Sequence, residues 1–307
     1  IMLNPGDIDG DGYSDALLTM READIEAFDS GAVYIYSGTA EGLSPAPARI
    51  ISLPGRREFL GRGADLGDVN GDGLIDLVVG ADGHDAGAID NGAVFVYLGV
   101  DGKFFEATAS TVLPGIYGYD RSGFSITVCD FNGDGFEDIA SGTIYAEDRD
   151  IDNYPTSQGA VFIYLGSEDG FGLEPDDTVY GMIPQADGAY AGIQNLRFAD
   201  QIASGDVDND GLCDLVGASY RWAAAPGSSN DGYIAVYRGQ APSADGPGGL
   251  ESLPSKLIGA IDPTNQKSQA GRRISVGDVN GDGYADIAFS QYQWDNPEAS
   301  GLNHGAL

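Results

Sequence analysis

The stretch Asp68-Val69-Asn70-Gly71-Asp72-Gly73-Leu74-Ile75-Asp76 decides how the chain is read. Oxygen-bearing side chains stand at its first, third, fifth and ninth positions, and Gly73 permits the sharp turn that points them inward. Such a set suits a hard cation, and Ca²⁺ takes six to eight oxygen ligands at about 2.3–2.6 Å. The pattern returns at Asp7 to Asp15, Asp130 to Asp138, Asp206 to Asp214 and Asp278 to Asp286. The loop starts are 61, 62, 76 and 72 residues apart, a loose period that calls for a repeat architecture.

The surroundings repeat as well. A strand of small or branched residues precedes each loop, as in Ser125-Ile126-Thr127-Val128 and Arg273-Ile274-Ser275-Val276. An apolar strand follows: Ala16-Leu17-Leu18, Leu77-Val78-Val79, Ile139-Ala140, Leu215-Val216 and Ile287-Ala288-Phe289. A third reads Gly31-Ala32-Val33-Tyr34-Ile35-Tyr36, then Gly92 to Tyr97, Gly159 to Tyr164 and Gly232 to Tyr237, rich in β-branched and aromatic residues. A fourth, more variable strand is expected at Arg49 to Leu53, Thr108 to Leu113, Thr178 to Ile183 and Lys256 to Ile261. No segment has a convincing helical period; Arg21 to Phe28 reads as a short turn at most. Four strands per unit, repeated radially, is the arithmetic of an all-β β-propeller. At least five repeats are visible, so residues 1–307 read as one propeller domain or a piece of one. The first repeat is expected to lack most of its opening strand. The fifth is expected to stop as its third strand begins, at Gly305-Ala306-Leu307.

Composition narrows the function. The 307 residues are 42% hydrophobic with 47 Gly and 14 Pro, which fits a β protein with many turns. A net charge of −33 argues against nucleic acid, which demands a basic footprint, and against adhesion to anionic lipid through basic residues. Seventeen Asp fall inside the five loops, so one Ca²⁺ per loop would bring the balance to −33 + 10 = −23. The two cysteines, Cys129 and Cys213, lie in different repeats at different offsets from the loop, so the sequence does not imply a disulfide. No apolar run approaches the roughly 18 residues of a membrane span. No secretory signal is visible, although the chain opens on Ile1 in mid-pattern, and no Asn-x-Ser/Thr acceptor occurs.

The loop, the small-residue strand before it and the Gly-Ala-Val-aromatic strand after it resemble the FG-GAP repeat of integrin α-subunit propellers and their bacterial relatives, over essentially the whole chain. The name-giving Phe-Gly pair reads Leu60-Gly61, Ser122-Gly123, Phe198-Ala199 and Ala270-Gly271 here. Of the Gly-Ala-Pro element, Gly80-Ala81-Asp82 is recognisable, and Gly142-Thr143 and Gly217-Ala218 are weaker. The resemblance implies blades that bind Ca²⁺, up to five ions, between their first two strands. Its ligands would be Asp7, Asp9, Asp11 and Asp15; Asp68, Asn70, Asp72 and Asp76; and Asp130, Asn132, Asp134 and Asp138. The last two loops would supply Asp206, Asp208, Asp210 and Asp214, then Asp278, Asn280, Asp282 and Asp286. The seventh residue, Tyr13, Leu74, Phe136, Leu212 or Tyr284, would offer its backbone carbonyl and turn its side chain into the core. An EF-hand is excluded, because it needs a bidentate Glu at position twelve, where this chain has Leu18, Val79, Ser141, Gly217 and Phe289. Bare Asp/Gly turns are a poor account, since all twenty ligand positions are Asp or Asn.

The resemblance further implies a secreted or surface-displayed module that binds a protein or glycan through the loops opposite the Asp-rich ones. Those loops span 21–30, 81–91, 143–158, 220–231 and 291–303, with Phe28, Tyr145, Tyr154, Tyr220, Trp222, Tyr292 and Trp294 as aromatic candidates. Two other readings stand beside it: a propeller-fold hydrolase or polysaccharide lyase, and a structural spacer in a larger surface protein. The enzyme reading finds only two histidines, His84 and His304, and no Gly-x-Ser-x-Gly nucleophile motif. A non-enzyme is therefore expected.

Overall fold

In a computed structural model, each Asp-rich loop closes a β-hairpin. The structure describes residues 1–146, 157–184, 190–191, 196–222, 231–244, 246–259 and 269–291. Among these the chain is all-β, built from four-stranded antiparallel sheets of propeller-blade type whose strands follow chain order. The first sheet comprises Met2–Gly6, Asp15–Met20, Ala32–Tyr36 and Arg49–Ile51. Its opening strand is therefore present, paired with Asp15–Met20, where the sequence suggested it was mostly missing. The second comprises Leu60–Gly67, Asp76–Ala81, Ala93–Tyr97 and Thr111–Pro114, and the third Ser125–Cys129, Asp138–Thr143, Ala160–Tyr164 and Asp177–Tyr180. The fourth comprises Gln201–Gly205, Asp214–Ser219, Tyr233–Tyr237 and Lys256–Gly259, and a fifth sheet begins with Ala270–Gly277 and Asp286–Gln291. The third strand expected near Gly305 lies outside the described residues.

Register fixes the loops. The last pair of the first hairpin is Gly6↔Asp15, Gly67↔Asp76, Gly205↔Asp214 and Gly277↔Asp286 in the four repeats where it is described. The ninth-position Asp thus sits at a strand start, anchored by the ladder.

The chain divides into two compact units, Ile1–Val128 with Gly135–Ser141 and Tyr164–Asp176, and Cys129–Asp134 with Gly142–Ile163 and Asp177–Leu307. The first unit's core joins Leu17, Val33, Ile35, Leu60, Leu77, Val79 and Phe95. In the second, Val216, Ala218, Ile234 and Val236 pack with Ile274, Val276 and Ile287. Every residue of Asp76–Ala81 and of Asp214–Ser219 is buried, so these strands lack the in-out alternation of a half-solvated sheet. Small residues allow that double packing. The glycine opening each third strand lies against the backbone that starts the next repeat: Gly31 on Leu60, Gly92 on Ser122, Gly159 on Phe198 and Gly232 on Ala270. At Gly92, with φ +74°, a Cβ would stand 2.5 Å from the Ser122 amide nitrogen and nearer still to its carbonyl oxygen. Only glycine fits there.

Candidate metal centre

Each loop is wound by its own side chains. In the second, Asp68 Oδ1 accepts the Asp72 amide at 3.0 Å and Oδ2 accepts the Gly73 amide at 2.8 Å. Asn70 Oδ1 also accepts from the Asp72 amide at 3.0 Å, and Asp72 Oδ1 accepts the Leu74 amide at 2.8 Å. Asp76 Oδ2 accepts the Val69 amide at 2.9 Å, and Oδ1 accepts that of Gly99 at 2.7 Å, so the ninth position ties the loop to the end of the third strand. The same design recurs at Asp15, with the amides of Ile8 (2.8 Å) and Gly38 (2.9 Å), and at Asp214, with those of Val207 (2.8 Å) and Gly239 (3.0 Å).

The first and fifth loops wind alike. Asp7 accepts from Gly10, Asp11 and Gly12, and Asp278 from Asn280, Gly281, Asp282 and Gly283. The third loop is divided between the units. Asp130 accepts from Gly133 and Asp134, Asn132 accepts from Asp134, and Asp138 accepts the Gly166 amide.

Amide dipoles can hold carboxylates close together, but they do not cancel the charge. Burial, reinforced by Asp72 and Asp68, pushes the Asp76 carboxyl up to about 6 against the pull of the Gly99 and Val69 amides. Burial likewise raises Asp214 and Asp9, and neighbouring carboxylates add to both shifts. Fully exposed Asp278 moves the other way, lowered by the amides of its own loop. Oxygens from Asp7, Asp9 and Asp15 lie within 4.8 Å of one another, as do those of Asp206, Asp208 and Asp210. Asp208 Oδ1 is buried with no hydrogen-bond partner among the described residues, while its Oδ2 pairs with Arg238 at 3.1 Å. Crowded, desolvated, all-oxygen donors with an orphaned lone pair fit a hard divalent cation.

The seventh-position side chains do not enter the core as expected. Tyr13 and Tyr284 are exposed at 44% and 48%, and the other three are half-buried. The Phe136 ring lies on Gly71 of the preceding loop, and Leu212 lies on Gly133. These residues pack loop on loop. Their position in the loop hides this, because the contact belongs to the relation between repeats.

Cys129 and Cys213 form a disulfide, with Cα atoms 6.0 Å apart. The differing offsets are what bring them together. Position eight of one loop faces the residue just before the previous loop, and the Cys213 amide donates to the Asp130 carbonyl at 3.1 Å. A counterpart exists one repeat later, where the Ala285 amide donates to the Asp206 carbonyl at 2.7 Å. A Cβ on Gly205 would there stand 3.2 Å from that of Ala285. The third such place sets Glu137 against Gly67, and Glu137 Oε2 accepts the Asp68 amide at 2.6 Å.

At the other strand ends the aromatic candidates differ in their surroundings. Trp222 packs edge-on against Tyr233 at 5.7 Å, Tyr145 carries the Arg197 guanidinium at 4.6 Å, and Tyr220 lies beneath Arg221 and Arg272. Tyr154, Tyr292 and Trp294 lie outside the described residues. Phe28 is exposed at 54%, with Ile89 (61%) and Tyr119 (59%) beside it in kind, two residues that an aromatic count of the second-to-third strand loops overlooks. Two loops hold these tips by the same bonds. The Asp29 amide donates to Asp24 and that of Asp90 to Asp85, both at 2.7 Å. The Phe28 carbonyl accepts the Arg57 amide and the Ile89 carbonyl that of Tyr119, both at 2.8 Å.

Below the first tip, buried Asp82 pairs with Arg21 at 3.2 Å and Arg121 at 3.3 Å, and Arg21 stacks 4.0 Å from the Phe59 ring centre. His84 is bonded through Nδ1 to Glu58 and sits edge-on to Phe95 at 5.2 Å.

A family model described as FG-GAP-like repeat matches residues 7–79, 68–141 and 206–289, and one described as FG-GAP repeat matches residues 122–164. Integrin alpha-5 of Xenopus laevis is 28% identical over 238 residues, 76% of this chain and 20% of that protein. Phosphatidylinositol-glycan-specific phospholipase D of Rattus norvegicus is 32% identical over 203 residues, 63% of this chain and 22% of that one. The chain thus spans about a fifth of the length of these relatives. Among solved structures, rhamnogalacturonan lyase YesW aligns with a TM-score of 0.43 at 15% identity, covering 94% of this chain and 58% of that one.

Proposed function

This chain belongs to the FG-GAP repeat family, and from that premise we propose that it is a calcium-stabilised extracellular binding module. Ca²⁺ in the Asp-rich loops fastens the first two strands of each blade, and the loops at the other strand ends engage a protein or glycan. The module itself is not catalytic. Desolvated, mutually repelling carboxylates support the metal. Extracellular calcium modules bind at about 10⁻⁴–10⁻³ M, an affinity suited to millimolar calcium. The disulfide supports the same compartment, since disulfides persist in oxidising surroundings. Among the described residues no helix is long and apolar enough to cross a membrane.

The observation that carries the binding role is the pair of like-built loops with apolar tips, Phe28 in one and Ile89 in the other, the latter bonded to the segment bearing Tyr119. Exposed apolar side chains held on hydrogen-bonded loops of a rigid scaffold support an interaction role for these loops. The test is a glycan array and a pull-down with the wild type and a Phe28→Ala/Ile89→Ala/Tyr119→Ala variant. Retained melting temperature with lost capture supports the reading. Equal capture by both proteins refutes the site, and no partner for either favours a spacer. Melting in excess EGTA tests the metal separately, and an unchanged curve sinks the calcium role.

A further inference from the structure

Four Asn-Gly dipeptides occur in the chain, at Asn70-Gly71, Asn91-Gly92, Asn132-Gly133 and Asn280-Gly281. Asn-Gly is the dipeptide most prone to spontaneous deamidation, because a glycine has no Cβ to hinder attack by its own nitrogen. That nitrogen bonds to the Asn side-chain carbonyl carbon, ammonia leaves, and a cyclic succinimide forms. Water then opens either carbonyl of the ring, giving aspartate or isoaspartate. Counted overall, one water enters and one ammonia departs.

The four glycines share nearly one backbone conformation, with φ of +73°, +74°, +75° and +79°. Their amides do not share one environment. The Gly92 amide donates to the His84 carbonyl at 3.0 Å. Those of Gly133 and Gly281 each donate at 2.6 Å to a carboxylate, Asp130 and Asp278. An amide held this way cannot turn its lone pair on the side chain, and a carboxylate acceptor also opposes its loss of a proton. Asn91 and Asn132 are buried as well. The Gly71 amide has no acceptor among the described residues, and Gly71 is exposed. The Asn70 carboxamide is held only by Asp72, through bonds of 3.0 Å to its amide and its carboxylate, and Asn132 has the same pair of bonds to Asp134.

We propose that Asn70 is the first of the four Asn-Gly asparagines to deamidate and that a cation in its loop shields it. The shielding rests on the metal reading above; the ranking of the four sites does not. A coordinated Asn70 oxygen could not swing towards Gly71. The two products differ in consequence. The aspartate product gives the second loop four carboxylates, as the first and fourth already have. Isoaspartate puts an extra methylene into the backbone between the first and fifth ligand positions, which disrupts the clamp.

The test is peptide mass spectrometry on the intact protein aged at mildly alkaline pH, in EGTA and in millimolar calcium, with melting temperature followed in parallel. In EGTA, Asn70 is expected to convert about fivefold faster than any of the other three, the factor set by one hydrogen bond. Conversion at Asn91, Asn132 or Asn280 as fast as at Asn70 overturns the site. Calcium should slow Asn70 but not a short peptide of the same sequence. If calcium raises the melting temperature and leaves the Asn70 rate unchanged, the shielding is refuted. If calcium changes neither, the metal reading has failed and the ranking is judged on the EGTA arm alone. Asn70→Gln should remove the conversion that fragment ions place at position 70 while leaving that at Asn91, and an undiminished total over residues 63–103 overturns the assignment.

Discussion

Replacing Gly92 by Ala tests the packing between repeats most directly. Gly92 has φ +74°, and for a non-glycine residue that costs about 1–2 kcal/mol. The new Cβ would also stand 2.5 Å from the Ser122 amide nitrogen, a distance that real Cβ contacts do not reach. Relief requires the two segments to part. Three backbone bonds centre there: Gly92 N to His84 O at 3.0 Å, Gly115 N to Gly92 O at 2.9 Å, and Ser122 N to Asn91 O at 2.9 Å. Losing two of them at about 1 kcal/mol each brings the expected cost to roughly 3–4 kcal/mol. Gly102→Ala is the control, because Gly102 has φ +67° with nothing within 4 Å of its Cβ position. That variant should lose only about 1–2 kcal/mol, the conformational part. Urea denaturation of both proteins in the same calcium buffer measures the difference. Equal losses at the two sites would show that the close approach to Ser122 contributes nothing, and the packing argument would fall.

Three further outcomes follow from the same geometry. The Asp76 carboxyl sits at about 6 without metal, above its ordinary value. In metal-free protein this group therefore favours folding below the unfolded carboxylate range, and the benefit is lost as pH rises through about 6. Protons and calcium then compete, so the gain in melting temperature from added calcium should grow from pH 5 to pH 7; a flat profile would contradict the assignment. Ala199, at φ +66°, stands where the other repeats have Gly61, Gly123 and Gly271, so Ala199→Gly should raise stability by up to about 1 kcal/mol, read as a higher urea midpoint. Gly205→Cys with Ala285→Cys should crosslink, seen as loss of free thiol, once the Val276 side chain, 2.7 Å from the new Cβ, gives way and the two Cβ atoms ease from 3.2 Å to the ordinary disulfide spacing of about 3.5–4.5 Å; thiols that stay free would refute the correspondence with Cys129 and Cys213.

What the sequence made legible was what is local. The ligand positions of a loop sit within nine residues, so Asp68, Asn70, Asp72 and Asp76 announce one another, and the Ala93–Tyr97 strand carries its own β-branched signature. Contacts between repeats were not legible. The packing of Phe136 on Gly71 and the pairing of Cys129 with Cys213 each join positions with different offsets in successive repeats. No single-repeat pattern contains them. Exposure in the second-to-third strand loops was not legible either: Trp222, one of seven aromatic candidates, packs against Tyr233, while Ile89, which an aromatic count omits, is left in solvent.

The Cys129–Cys213 link also sets an order of events during synthesis. The two cysteines are 84 residues apart, and closing a loop of that size is worth about 4–5 kcal/mol in the chain-entropy picture. A chain emerging from its N-terminus presents Cys129 long before Cys213 exists. Through that interval Cys129 is an unpartnered thiol beside Asp130, open to any other disulfide it meets. Only when the fourth loop is made can the bond close, and it then fixes the backbone one residue ahead of Asp130 and one residue ahead of Asp214. Once closed, the bond holds the approaches to two successive loops at one spacing, so neither loop can drift from the other without dragging the backbone beside it.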